Sequence, residues 1–248
     1  MKILLAGESW TTYSIHVKGF DSFTTSRYEE GAGWMQAAVR DKGHELDYIP
    51  GQYVAEKFPD SLGALKEYDA IAVSDIGANS FYLSDDTFIR SKIKTDRLEL
   101  VREYTESGGD FLMIGGYLSF QGIDGKARYH DTPVEKCLPV TIKSVDDRVE
   151  RPDSVTPEVI QASHPILQGI PADWPHFLGY NRLTAKPEAE VLMKAGNDPF
   201  LSVTEYGRGR SAAFASDCSP HWGAPGFLNW EYYGAFWTQL FEWLSKKR

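Results

Sequence analysis

The chain has only two cysteines, fewer basic than acidic residues and no long uninterrupted apolar run. Cys137 and Cys218 lie far apart and neither belongs to a CxxC pair, which argues against a disulfide-stapled scaffold and against a cysteine-based zinc site. Without an apolar run of spanning length, no transmembrane helix is expected, and no secretory signal precedes the first strand, so the expected compartment is the cytoplasm. Lys and Arg total 26 against 35 Asp and Glu, a net charge of −9, which disfavours nucleic acid and anionic membranes as partners. His16, His44, His130 and His176 show no mutual spacing suited to a metal, and no metal or cofactor is expected.

What is present is an alternation of short aliphatic runs and helical patterns. Lys2 to Gly7 reads as a central strand of a parallel sheet, covered on both faces, and an irregular polar and aromatic segment follows it. Trp34 to Lys42 reads as a helix closed by Gly43, and Glu45 to Ile49 as the next strand. Ala70 to Ser74 is a third strand, Leu98 to Ser107 a helix, and Phe111 to Ile114 a fourth strand. Right-handed crossovers then predict an open α/β sheet, mainly parallel, with helices on both faces, and ligands collect beyond the carboxyl ends of such strands.

Residues 1–248 are expected to form a single domain with an irregular excursion over about 122–157. Short strands return at Val191 to Ala195, Leu201 to Glu205 and Ser211 to Ala215, the last two joined by a hairpin at Tyr206-Gly207-Arg208-Gly209-Arg210. Asn229 to Leu244 reads as a helix whose Trp230, Tyr233, Phe236, Trp237, Leu240, Phe241 and Leu244 make one apolar stripe, a core face by default.

The most informative segment runs from Asp110 to Phe120: an apolar strand entering the turn Gly115-Gly116-Tyr117-Leu118-Ser119. A strand-to-helix turn with flanking glycines is how a nucleophile elbow lifts one strained residue above a sheet, and here that residue would be Tyr117.

At this turn, at Ser74-Asp75-Ile76-Gly77-Ala78-Asn79, at Asp217-Cys218-Ser219-Pro220-His221-Trp222 and at the stretch Asp146 to Pro152, the chain resembles a glutamine amidotransferase-like family, a divergent branch of the class I glutamine amidotransferase superfamily. The resemblance covers the full length and implies a flavodoxin-like α/β fold. Active amidotransferases carry G-x-C-x-G at the elbow and a His-x-Glu after a late strand, together a Cys-His-Glu triad. Here Tyr117 stands where that cysteine belongs, Ser119 replaces the second glycine, His221 matches the histidine, and Gly223 replaces the glutamate.

Glutamine hydrolysis needs a thiolate, and a phenol titrating near pH ~10 is a poor substitute. Ser119 has two readings: the nucleophile of a hydrolase with His221 and either Asp217 or Glu231, or a residue that caps a helix or satisfies a backbone amide. His221, in a loop at a strand end, is open between a ligand-binding or catalytic role and a structural hydrogen bond. Cys218 is either a thiolate stabilised by His221 or a buried inert thiol, and metal ligation by Asp217, Cys218 and His221 is a weak alternative. Arg27 and Glu29 read as a surface ion pair, with a charged clamp on the site as the alternative.

Glu8, Ser9, Asp75 and Asn79 follow the first and third strands, so the topology brings them towards Gly116, Tyr117, Asp217, His221 and Trp222. The carboxylates among them serve either as an acid and base or as loop and helix caps. The first expectation is a protein without glutaminase activity that binds a small polar molecule at the strand ends. The second is a hydrolase or lyase with His221 as base assisted by a strand-end carboxylate. The third is an assembly module that forms a homo-oligomer through its aromatic C-terminal helix.

Overall fold

The computed structural model describes residues 1–245. Its strands are β1 (Lys2–Gly7), β2 (Ser9–Lys18), β3 (Asp21–Glu30), β4 (Glu45–Pro50), β5 (Ala70–Ser74), β6 (Asp110–Ile114), β7 (Val140–Thr141), β8 (Arg148–Val155), β9 (Glu158–Val159), β10 (Phe177–Asn181), β11 (Thr184–Ala185), β12 (Glu190–Ala195), β13 (Asp198–Tyr206) and β14 (Gly209–Phe214). Eight of them form one sheet in the order β4-β1-β5-β6-β14-β13-β12-β9. The first five are parallel neighbours, and β13, β12 and β9 extend the sheet in antiparallel fashion.

The aliphatic runs predict this arrangement for a physical reason. All five residues of β5 and of β6 are buried, as is β1 from Ile3 onward, so neither face of these strands can carry polar residues in alternation. Helix Tyr233–Ser245 packs on β5, β6 and β14 and against helix Gly33–Asp41. Helix Arg97–Glu106 packs on β6 and β14, and the Asp96 side chain caps it by accepting the Leu98 and Glu99 amides at 3.0 Å.

Three expectations are corrected. The segment after β1 is not irregular: β2 and β3 form a separate two-stranded ribbon with an unbroken register from Ser9↔Glu30 to Lys18↔Asp21. The excursion over 122–157 contains helix Pro133–Cys137 and two strands, β7 paired with β11 and β8 paired with β10. The C-terminal helix starts at Tyr233, after a short helix Pro225–Leu228. Its Tyr233, Phe236, Trp237, Leu240, Phe241 and Leu244 are buried and belong to the core, while Trp230, before the helix, is half-buried.

Candidate functional site

The carboxyl ends of β1, β5, β6 and β14 converge, and each is followed within a few residues by a polar side chain: Glu8, Asp75, Tyr117 and Asp217 with His221. Positive φ falls on Glu8 (+49°), Asp75 (+43°) and His221 (+99°), not on Tyr117. Strain at a turn is costly for a residue with a Cβ, and here it marks the two carboxylates and the imidazole rather than the elbow residue. The expectation of a strained Tyr117 is therefore corrected. Gly116 takes the unusual conformation instead, at φ +148°, where a Cβ would stand 2.8 Å from Asp75 Oδ1.

Glu8 is fully buried. Its Oε2 accepts the Ser74 hydroxyl and faces Cys218 Sγ at 3.4 Å, while its Oε1 accepts the Ser219 hydroxyl. Gly31 lies against this pair, and a Cβ there would meet Ser219 Oγ at 2.6 Å and Glu8 Oε1 at 2.7 Å. Burial, then the Asp75 carboxylate, push Glu8 up to about 7 against the three hydrogen bonds that favour its ionised form.

Asp217 is also fully buried; its Oδ1 accepts the Ser219 amide at 3.0 Å and its Oδ2 has no hydrogen-bond partner. Burial raises it well above the carboxylate range, with Glu8 and Asp75 adding to the effect. Cys218 is 1% exposed, and burial followed by the Glu8 and Asp217 charges raises its thiol well above the usual value. The structure thus favours the inert thiol over the activated thiolate. Glu8, Asp217 and Cys218 offer ligand atoms within 4.8 Å of one another, as do His130, Asp131 and Glu135, although both Glu8 oxygens already accept hydroxyls.

Around this buried acidic group lies an aromatic rim. The His221 ring sits 4.9 Å from Trp10 and 5.7 Å from Tyr117, centroid to centroid, and Tyr117 lies 5.3 Å from Trp222. At that separation the Tyr117 and His221 rings meet edge to face, with no room for a molecule between them. Burial raises Asp75, whereas the nearby His221 and a 2.6 Å hydrogen bond from the Leu118 amide act in the opposite direction.

Ser119 is buried, and its hydroxyl donates to Ile114 O at 2.5 Å while accepting the Asp75 amide at 3.0 Å. Both capacities of the hydroxyl serve the backbone. Ser9 Oγ likewise accepts the Gly51 amide at 2.8 Å and donates to Gln52 Oε1 at 3.1 Å. Asn79 opens the short helix Asn79–Tyr82 and is exposed. Trp222 is buried, with its indole N–H donating to Glu150 Oε2 at 3.1 Å. Arg27 and Glu29 form a 2.7 Å ion pair on the exposed ribbon.

Four residues important to this architecture escape a reading of the sequence alone. Asp147 accepts the Gln121 and Gly122 amides at 2.9 Å each, and the Asn181 side chain at 2.8 Å. Asn181 in turn accepts the Gly116 amide at 3.0 Å, so β10 and the loop before β8 together clamp the turn after β6. Arg148 lies 5.4 Å over the Tyr117 ring and is held by Asp146 at 2.8 Å and by Glu150 at 3.6 Å. The charge-dense run Asp146 to Pro152 is a signal for Asp147, Arg148 and Glu150, but Asn181 lies outside it, and their partners are too far away in sequence to be named from it.

Comparison with solved structures identifies close relatives. Cytoplasmic protein STM3548 from Salmonella typhimurium is 45% identical, with a TM-score of 0.96 over 100% of both chains. Cytoplasmic protein STM1381 from Salmonella typhimurium LT2 is 47% identical, with a TM-score of 0.96 over 99% of this chain and 100% of that one. A ThuA-like protein from Bacteroides uniformis shares the fold at 15% identity and a TM-score of 0.56, covering 96% of this chain and 90% of its own. No curated protein matched the chain. The model of the family described as "Putative glutamine amidotransferase" matches residues 2–246, and the chain belongs to that family.

Proposed function

We propose that this family member binds a small polar ligand at the carboxyl ends of its parallel strands and does not hydrolyse glutamine. One observation carries the reading: the elbow position holds Tyr117, whose phenol is raised by burial and by Glu150, boxed among His221, Trp222 and Arg148. No thiolate is available nearby, because Cys218 is buried and Cys137, also buried, is pushed up to about 12. Glutamine hydrolysis through a thioester needs an accessible thiolate.

The rim offers what a small polar molecule needs. Aromatic edges supply area, His221 is exposed as a donor or acceptor, and the Arg148 guanidinium supplies positive charge over Tyr117. The sheet order of the parallel half supports a flavodoxin-like reading with the ligand at the strand ends, where such folds bind. A cytoplasmic setting agrees with the description of both Salmonella relatives and with the lack, among the described residues, of a helix long and apolar enough to cross a membrane.

The test is a panel of amino acids, short carboxylates, amides and sugars, read by tryptophan fluorescence, since Trp10 and Trp222 border the rim. At least one class is expected to give a saturable change that His221→Ala and Arg148→Ala abolish. Failure of the whole panel, or binding unaffected by both variants, contradicts the proposal.

A second reading makes His221 a general base assisted by Asp75. Its support is the exposed, positive-φ His221 placed close enough to Asp75 to act on its titration. On that reading, His221→Ala abolishes turnover of some ester, amide or sugar while leaving the melting temperature unchanged.

A further inference from the structure

Asp217 is fully buried, and one of its oxygens is left without a partner. Oδ1 accepts the Ser219 amide, while Oδ2 makes no hydrogen bond. Protonated, that oxygen is a donor without an acceptor; ionised, it is a buried charge without a donor, and native structures rarely leave either. The neighbouring groups do not relieve it. Glu8 is bonded by the Ser74 and Ser219 hydroxyls and the Cys218 thiol, so among the described residues no basic side chain bonds to either carboxylate.

The ligand atoms of Glu8, Asp217 and Cys218 lie within 4.8 Å of one another. Cys218 Sγ stands 3.4 Å from Glu8 Oε2, close to the roughly 3.6 Å between a sulfur and an oxygen ligand on tetrahedral zinc. Sulfur in the donor set disfavours magnesium and calcium, which take oxygen ligands in larger number. The hydroxyls on Glu8 and the Ser219 amide on Asp217 Oδ1 are the outer bonds that orient ligating carboxylates. A carboxylate oxygen that accepts one of them keeps a second lone pair. The group of His130, Asp131 and Glu135 has no such free atom in its interior: both Glu135 oxygens accept backbone amides, and Asp131 is exposed.

We propose that Glu8 Oε2, Asp217 Oδ2 and Cys218 Sγ bind a zinc ion between the end of β1 and the loop after β14. Two carboxylates and a thiolate supply the negative charge that such an ion compensates, and three protein ligands leave one tetrahedral position to water. The third ligand is Glu8 and not His221, whose ring rests against Trp10 and Tyr117. Such a site needs neither paired histidines nor a CxxC motif, the two features whose absence speaks against a metal in the sequence. Without the ion the carboxylates keep their protons, and loading displaces these and the thiol proton into solvent. All three ligands are sealed in the folded chain, so the ion enters as the chain folds. The ion and the rim ligand are independent of each other, and Cys218 bound to zinc remains buried and closed to glutamine.

The full chain without a histidine tag, produced in medium supplemented with zinc or cobalt and then desalted, tests this by metal analysis and absorption spectroscopy. About one ion per chain is expected, and the cobalt form is expected to show a thiolate-to-cobalt charge-transfer band with the visible bands of tetrahedral cobalt. Cys218→Ser is expected to remove the charge-transfer band with unchanged circular dichroism, whereas Cys137→Ser and His130→Ala leave it in place. Asp217→Asn, close in shape, is expected to weaken zinc binding in chelator competition at least ~100-fold, the upper end of the loss for groups one bond further from a metal. Wild-type protein that folds but retains no ion would leave Asp217 Oδ2 to an internal water and overturn the proposal. Cobalt bound without a thiolate band, a band that survives Cys218→Ser, or Asp217→Asn binding zinc as tightly as wild type would each overturn it as well.

Discussion

Glu8 and Ser219, 211 residues apart in the chain, are joined by a hydrogen bond from the Ser219 hydroxyl to Glu8 Oε1. The bond ties the end of β1 to the loop after β14, so the first strand and the last contribute to one buried acidic group with Asp217 and Cys218. Most consequences of the site for stability follow from that group.

The pH dependence has a definite sign. In the unfolded chain Glu8 releases its proton near pH ~4.3. Folded, it holds the proton up to about 7. Between those values the folded state binds more protons, so stability is full below the lower value and falls as pH rises towards the upper one. The whole span corresponds to roughly 3–4 kcal/mol, with Asp75 and Asp217 shifted in the same direction. Urea unfolding from pH 4.5 to 8 is expected to show this decline, and Glu8→Gln is expected to flatten it. Parallel profiles for the two proteins would show that Glu8 does not titrate as described.

Gly31→Ala places a methyl group against Ser219 Oγ and Glu8 Oε1, where the space is already filled. Overpacking of this kind costs about 1–3 kcal/mol. Thermal unfolding measures it, and a variant as stable as wild type would mean that the Glu8–Ser219 pair can move aside.

Asp147→Ala leaves the Gln121 and Gly122 amides without their buried acceptor and takes from the Asn181 side chain its shortest bond, leaving it Gly116 O and Ser119 O. Each orphaned donor costs about 1–3 kcal/mol, and partial relaxation brings the expected total to about 3–5 kcal/mol. Hydrogen exchange over 116–122 should accelerate together with the loss of stability. A loop that keeps its protection would show that Asp147 is dispensable for the turn.

Both cysteines are buried, and burial is the largest cause of each raised thiol value. Ellman's reagent at pH 8 is therefore expected to react with the native protein only as fast as it opens, and rapidly in urea. Stoichiometric reaction within seconds in the native state would place a usable thiol at the site.

The parallel half of the sheet was legible because β1, β5 and β6 are buried on both faces and so read as unbroken aliphatic runs. The β2–β3 ribbon is hard to read although Tyr13, Ile15 and Val17 alternate with polar residues and Gly19-Phe20 supplies a two-residue turn; Thr and Ser opposite them dilute the pattern. Strand-end residues such as Glu8, Asp75 and His221 follow from topology. The full burial of Glu8 does not, nor do the roles of the nearby hydroxyls: Ser9 and Ser119 read as site hydroxyls, yet Ser119 is held on both sides by backbone and Ser9 by the Gly51 amide and Gln52. Asp147, Arg148, Glu150 and Asn181 reach the site through the β8–β10 pairing, a long-range contact that no local pattern encodes.

The most direct test of the central claim is intact-mass analysis after exposure to a glutamine-derived diazoketone, alongside an assay of ammonia release from glutamine. With Tyr117 at the elbow and Cys218 buried against Glu8 and Ser74, we expect no time-dependent adduct and no ammonia above the buffer control. A single adduct on Tyr117, Ser119 or Cys218 accompanied by glutamine turnover would contradict the account.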